Sequence, residues 1–211
     1  MFSRTPVPLE AGTSGPVRIG GELEDTSGYY VPQVGELILD TVRSLRFKIL
    51  SVRGKGVYSC VVEVQCLETR EPFALKVLRS NDVMAKSGEK EKKVLQKLNS
   101  ADPNDRRHII RLYGSFVHQG HLCLQYELMG LSLREVLQKY GSENGLSLEA
   151  VKSFARQGFI ALYHLKTHRM IHTDSNSYSV KPDNILICSQ LRKIKLSDFG
   201  TTFGRRRKQD H

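Results

Sequence analysis

Apolar and polar positions alternate along Phe47-Lys48-Ile49-Leu50-Ser51-Val52 and again along Cys60-Val61-Val62-Glu63-Val64. This period of two predicts a pair of strands, and Arg53-Gly54-Lys55-Gly56-Val57-Tyr58-Ser59 between them predicts a glycine-rich turn. Phe73-Ala74-Leu75-Lys76-Val77-Leu78 is a third strand-like run carrying one charge. Over Gly88–Leu98 the period changes: Glu91, Leu95 and Leu98 fall on one face of a helix. Ile109–Val117 and His121–Tyr126 read as strands about a Gln119-Gly120 turn. Ser132-Leu133-Arg134-Glu135 has capping-box spacing and opens a short helix to about Tyr140. Ser147 caps a longer helix from Leu148 to about His168, with Val151, Phe154, Ala155, Phe159, Leu162 and Leu165 as its apolar stripe. Ile185-Leu186-Ile187 and Ile194-Lys195-Leu196 look like two small strands.

The ends differ from this middle. Pro, Gly, Ser and Thr dominate the first residues without periodicity, so 1–24 is expected to be a disordered tail. Pro32 and Gly35 oppose regular structure between Asp25 and Asp40, which predicts an extended lead-in docking its Tyr and Leu side chains. Hydrophobic content of 39% and charged content of 26% are ordinary for a soluble domain, and 211 residues allow one domain with a sizeable core. No apolar run approaches a membrane span, and the first residues lack the apolar core of a secretory leader. Cys60, Cys66, Cys123 and Cys188 are scattered, and read as reduced thiols rather than a zinc site. Net charge is +10, although residues 1–40 carry only Arg4 and Arg18 against six carboxylates. The basic remainder fits anionic partners, ATP among them. A solvated basic surface is the plainer reading, and no nucleic-acid interface is argued from it.

Two features carry chemistry in the first half. Gly54 and Gly56 let a backbone approach a polyphosphate with its N–H groups forward, although a G-x-G alone is also an ordinary hairpin turn. An ammonium among aliphatics is costly unless paired, so Lys76 either snorkels from an edge strand or finds a carboxylate. Glu91 shares the packing face of the following helix and is the expected partner; Glu89, Lys90, Lys92 and Lys93 fit a solvated face.

The second half concentrates its chemistry between Met170 and Gly200, in His172-Thr173-Asp174, Lys181-Pro182-Asp183-Asn184-Ile185-Leu186 and Asp198-Phe199-Gly200. A carboxylate to accept a hydroxyl proton, a lysine for a transferred phosphate and two hard-oxygen donors for Mg²⁺ are the parts of a phosphoryl-transfer site. This order resembles the protein-kinase catalytic loop and DFG motif. DTSGYY, GVYSCVV, LNSADPNDRRH, HLCLQYELM, SLREVLQKYG and LSLEAVKSFARQGFIAL further resemble the Prp4-type pre-mRNA-processing kinases of the CMGC group.

The resemblance implies an α+β, kinase-like fold over 25–202: a complete small lobe at about 41–127 (antiparallel sheet plus helix C), a hinge at 127–130 and the first part of a helical large lobe at 131–202. The basic stretch 203–211 is expected to be a non-family tail, truncating the domain after the DFG motif. It further implies ATP and Mg²⁺ as cofactors, splicing-factor Ser/Thr substrates, no membrane partner and a nuclear location, with some cytoplasmic presence. Carried over by residue, Gly54, Gly56 and Val61 would cover the nucleotide, Lys76 and Glu91 orient it, and backbone groups of Glu127 and Met129 meet the adenine, with Tyr126 as gatekeeper. Asp174 would be the general base, Lys181 the γ-phosphate partner, Asn184 and Asp198 the metal ligands, and His172 a structural brace.

Two departures bear on activity, the large lobe cut short after the DFG motif and a lengthened catalytic loop. Lys181 lies seven residues after Asp174 where the family pattern has two, so Ser175-Asn176-Ser177-Tyr178-Ser179 reads as an insertion. Two functions stay open on the sequence: an ATP-dependent Ser/Thr kinase, or a nucleotide-binding or scaffolding fragment of one with impaired catalysis.

Overall fold

The computed structural model describes residues 17–19, 22–24, 28–141, 145–172, 180–200 and 202–204. Most of the expected tail 1–24, the stretch 173–179 with Asp174 and the five inserted residues, and 205–211 lie outside the described residues. Within the tail, β1 (Val17–Ile19) and β2 (Glu22–Glu24) pair as an antiparallel hairpin.

The alternating runs build one antiparallel sheet from β3 (Leu37–Asp40), β4 (Leu45–Lys55), β5 (Ser59–Cys66), β6 (Pro72–Leu78), β7 (Leu112–His118) and β8 (His121–Glu127), in the order β3-β4-β5-β6-β8-β7. β3 corrects the extended lead-in, since the sheet starts at Leu37, ahead of residue 41. Ile38 and Asp40 face inward and Leu37 and Leu39 outward, an alternation that Pro32 and Gly35 lie too early to break. The sheet curls until its edges meet: the Leu39 N–H donates to His118 Nδ1 at 3.2 Å, and Arg43 joins Asp40 to Gln125. Ile38, Phe47, Ile49, Val62, Val64, Leu75, Val77 and Phe116 fill the curl. On β5 and β6 the alternate residues, Val61 and Lys76 among them, face the other way and are half-buried.

α1 (Asp82–Ser100) starts six residues before the expected Gly88, with Asn81 as its cap accepting the Met84 N–H at 2.8 Å. Gly88 is interior because a Cβ there would sit 2.7 Å from Leu78 and Leu122, so the missing side chain lets the helix lie against the sheet. Glu91, Leu95 and Leu98 form the buried stripe, as their spacing predicts. Leu95 and Leu98 belong to a second core that also holds Leu124, Tyr126, Leu165, Leu196 and Phe199.

Beyond β8, α2 (Leu133–Tyr140) carries the full Ser132–Glu135 capping box, and α3 (Leu148–Thr167) is capped by Ser147. β9 (Met170–Ile171) pairs with β12 (Phe203–Gly204), and β10 (Ile185–Ile187) with β11 (Ile194–Leu196), both antiparallel. α3 packs differently from its apolar stripe. Its buried residues are Phe154, Ala161, His164 and Leu165, whereas Val151 and Phe159 are exposed. Polar side chains on the packed face bond to backbone: Gln157 grips β11 through Ile194 N–H and Arg192 O, and His164 Nε2–H donates to Leu98 O. No described helix is long and apolar enough to cross a membrane.

Candidate functional site

Strand register brings the first group of residues together. Gly54 pairs with Val61, and Val61 pairs with Lys76 on the next strand, so the three form one row across the sheet. Alternation puts this row on the face opposite the packed interior. A Cβ at Gly54 would meet no protein atom within 4 Å, so nothing in the fold demands glycine there. The space fits a group that must approach backbone closely. At the flap tip the Gly56 N–H donates to Ser59 O at 2.8 Å, and the Tyr29 hydroxyl donates to Val57 O at 2.7 Å.

Lys76 and Glu91 meet, with Nζ 2.8 Å from Oε2. Glu91 is 2% exposed, and its other oxygen accepts the Tyr126 hydroxyl at 2.7 Å, so both oxygens of a buried carboxylate are satisfied. The Lys76 ammonium also lies 3.3 Å from Asp198 Oδ1. Burial pulls the Lys76 pKa down, but the charges of Glu91 and Asp198 outweigh it and hold the ammonium on well above the usual lysine range. Lys76, aided by His172 and Lys181, holds the Asp198 carboxyl below its ordinary value against the effect of burial.

The second group hangs from the β10–β11 hairpin. Ile185 pairs with Leu196, so Asn184 and Asp198 stand at the same end of two paired strands. Pro182 starts a single 3₁₀ turn over Pro182–Asn184, where its missing N–H costs nothing. The Asn184 carbonyl accepts both the Ser197 N–H at 2.9 Å and the Ser197 hydroxyl at 3.0 Å, which locks the two motifs together. Asp198 has φ +60°, an uncommon conformation for a non-glycine residue and one that concentrates at functional sites. Phe199 is fully buried beside Leu95 and Leu98, and the His172 ring stands edge-on to it at 4.7 Å. His172 Nε2–H donates to Ser197 O at 2.9 Å, tying the residue after β9 to the one before Asp198.

The segment expected to be a hinge, 127–130, is held by close backbone contact. The Gly130 N–H donates to Ile187 O at 2.8 Å, and a Cβ at Gly130 would lie 2.7 Å from that oxygen. Met129 is buried in the second core, and the Glu127 N–H donates to Arg111 O at 3.1 Å. Lys181 precedes the 3₁₀ turn and contributes charge at Asp198; Asp174 lies outside the described residues.

Three side-chain contacts around the site are absent from the sequence reading. Tyr126 anchors Glu91, Arg134 forks onto Asp183 at 2.6 and 2.8 Å, and Lys195 is buried against Asp105 and Glu127. A lone charge in the run Ile194-Lys195-Leu196 is the same signal that marked Lys76. Asn184 and Asp198 offer the amide and carboxylate oxygens that Mg²⁺ prefers, and the Asp198 side chain is 54% exposed, so the donor set fits that ion.

Comparison with known proteins identifies the family. The family model for the protein kinase domain matches residues 47–209, running through most of the stretch expected to be a non-family tail. Serine/threonine-protein kinase prpf4B of Dictyostelium discoideum is 36% identical over 187 residues, covering 88% of this chain and 22% of that protein. Serine/threonine-protein kinase prp4 of Schizosaccharomyces pombe is 37% identical over 178 residues, covering 84% of this chain and 35% of that protein. Dual specificity protein kinase YAK1 of Saccharomyces cerevisiae is 35% identical over 167 residues, covering 78% and 20%. The chain thus spans between a fifth and about a third of these relatives' length.

Proposed function

Because this chain belongs to the protein kinase family, with Prp4-type serine/threonine kinases among its relatives, we propose that it binds Mg²⁺–ATP between the Gly54–Val61 flap and the Glu127–Met129 hinge and carries part of a Ser/Thr phosphoryl-transfer site. The observation that carries this reading is the convergence of Lys76, Glu91 and Asp198 from three separate elements. Gly54, Gly56 and Val61 cover the nucleotide. Lys76, steered by Glu91, meets its α- and β-phosphates. The backbone of Glu127 and Met129 meets the adenine.

Asn184 and Asp198 would hold Mg²⁺, which when bound neutralises phosphate charge. Asp174 accepts the proton of the attacking Ser or Thr hydroxyl, and Lys181 steadies the transferred phosphate. Kinship with Prp4-type enzymes supports splicing factors as substrates and the nucleus as the site of action.

The seven-residue step from Asp174 to Lys181 favours a second reading, a nucleotide-binding scaffold with weak transfer. A misplacement of about 1 Å costs on the order of a hundredfold in rate, and both residues must reach one phosphate. The test continues this chain with the remainder of the Schizosaccharomyces pombe relative and measures radiolabelled phosphate transfer with and without Ser175–Ser179, using Asp174→Asn as blank. Transfer above blank supports the kinase reading, and a rise of about tenfold or more on deletion supports an impaired native loop. Equal rates with and without the five residues mean that the loop extrudes them harmlessly.

A further inference from the structure

Among the described lysines and arginines Lys195 is the most deeply buried, at 1% exposed. It lies on β11, three residues before Asp198. Its ammonium donates to both oxygens of Asp105, at 2.7 and 2.8 Å, and to Glu127 Oε1. Asp105 belongs to the loop between α1 and β7, has φ +52°, and is also held by Lys193 at 2.7 Å and Arg111 at 3.3 Å. Glu127 Oε1 accepts the Arg111 N–H at 2.6 Å as well. A single buried charge therefore joins the α1–β7 loop, the hinge and the strand that leads to Asp198.

Stability alone explains this poorly. A buried ion pair is often no more stabilising than an apolar residue of similar volume, and the flanking Ile194 and Leu196 belong to apolar clusters. What an apolar residue could not do is hold Glu127. With its carboxylate on Lys195 and the Arg111 N–H, and its own N–H on Arg111 O, Glu127 is fixed at side chain and backbone together.

We propose that Lys195 is a positioning residue for the nucleotide: through Glu127 it sets the hinge backbone that meets the adenine, and through β11 it sets the strand carrying Asp198. The inference rests on the nucleotide-site reading above. Lys195 touches no nucleotide atom itself. Its effect is to pre-order two contact points that would otherwise be ordered at the expense of affinity.

The test titrates adenosine and Mg²⁺–ATP by calorimetry into the 211-residue chain and into Lys195→Met, Lys195→Arg, Glu127→Gln and the Lys195→Met/Glu127→Gln double variant. All are held below their own melting temperatures. Lys195→Met and Glu127→Gln should each weaken both ligands by about tenfold, with the double variant no worse than the weaker single. Lys195→Arg should recover most of the loss. If Lys195→Met melts earlier but binds both ligands like the parent, or loses ATP and not adenosine, the inference is overturned. Should Lys195→Met not fold, Glu127→Gln decides alone, and parent-like affinity for adenosine overturns the idea. A parent chain that binds neither ligand defeats the nucleotide-site reading instead, an outcome distinct from a parent and variants that bind equally.

Discussion

Glu91 concentrates the physics of the site in one side chain. Its two oxygens are divided between Lys76 and Tyr126, so removing either donor leaves a buried carboxylate oxygen without a partner. Tyr126→Phe is expected to lower unfolding free energy by about 1.5–3 kcal/mol, read from urea denaturation, because the lost bond is to a charged group. Acidity adds a sign that can be checked. Asp198 is held below its ordinary value, so its contribution is present above the usual carboxylate range and is lost as pH falls through the depressed one. Lys76 is shifted up, so its contribution is present below the usual lysine range and is lost only as pH rises through the raised value. The melting-temperature difference between the parent chain and Lys76→Met should stay level from about pH 6 to 9 and shrink below about pH 4. Thiols divide as sharply. Burial pushes Cys60 up to about 11 and Cys123 up to about 12. Burial raises Cys188 as well, but N–H groups of Lys193, Arg192 and Gln190 outweigh it and bring that thiol below its ordinary value. Iodoacetamide at neutral pH should label Cys188 first, as peptide mass spectrometry would show; early labelling of Cys60 or Cys123 would contradict the packing.

At the scale of elements, what was legible followed from local period, and what was not depended on partners distant in sequence. Lys76 and Glu91 were found because each interrupts an apolar stripe and the two elements are consecutive. Lys195 interrupts one too, but its partners lie 90 and 68 residues away on a loop and a hinge, where no periodicity points. The helical period places the start of α1 at Gly88, whereas the helix begins at Asp82 and Gly88 lets helix and sheet touch. In α3 the packed face also carries the polar Gln157 and His164, whose partners lie on distant backbone, so apolar spacing alone points to the exposed Val151 and Phe159. Gly130 is the sharpest test of how the hinge is built. Gly130→Ala forces a methyl to within 2.7 Å of Ile187 O, and should cost about 1–3 kcal/mol in denaturant titration with the hinge displaced.

For the whole molecule, the described residues leave one apolar face open. Phe159 is 70% exposed and Tyr163 62%, beside Val151 and Leu148 on the same helix. Phe154 and Leu165 of the same stripe are buried among the described residues. An open patch of this kind favours association, so light scattering should show the chain self-associating and a Phe159→Lys/Tyr163→Lys variant doing so less. The proposed nucleotide site lies where the flap, Lys76, Glu91 and Asp198 converge. Its most direct test is calorimetric titration of Mg²⁺–ATP into the 211-residue chain and into Lys76→Met under conditions where both are folded. Saturable binding by the parent, weakened about tenfold or more by the substitution, is the expected result. Absence of binding to folded parent chain, or equal affinity in the two proteins, would contradict it.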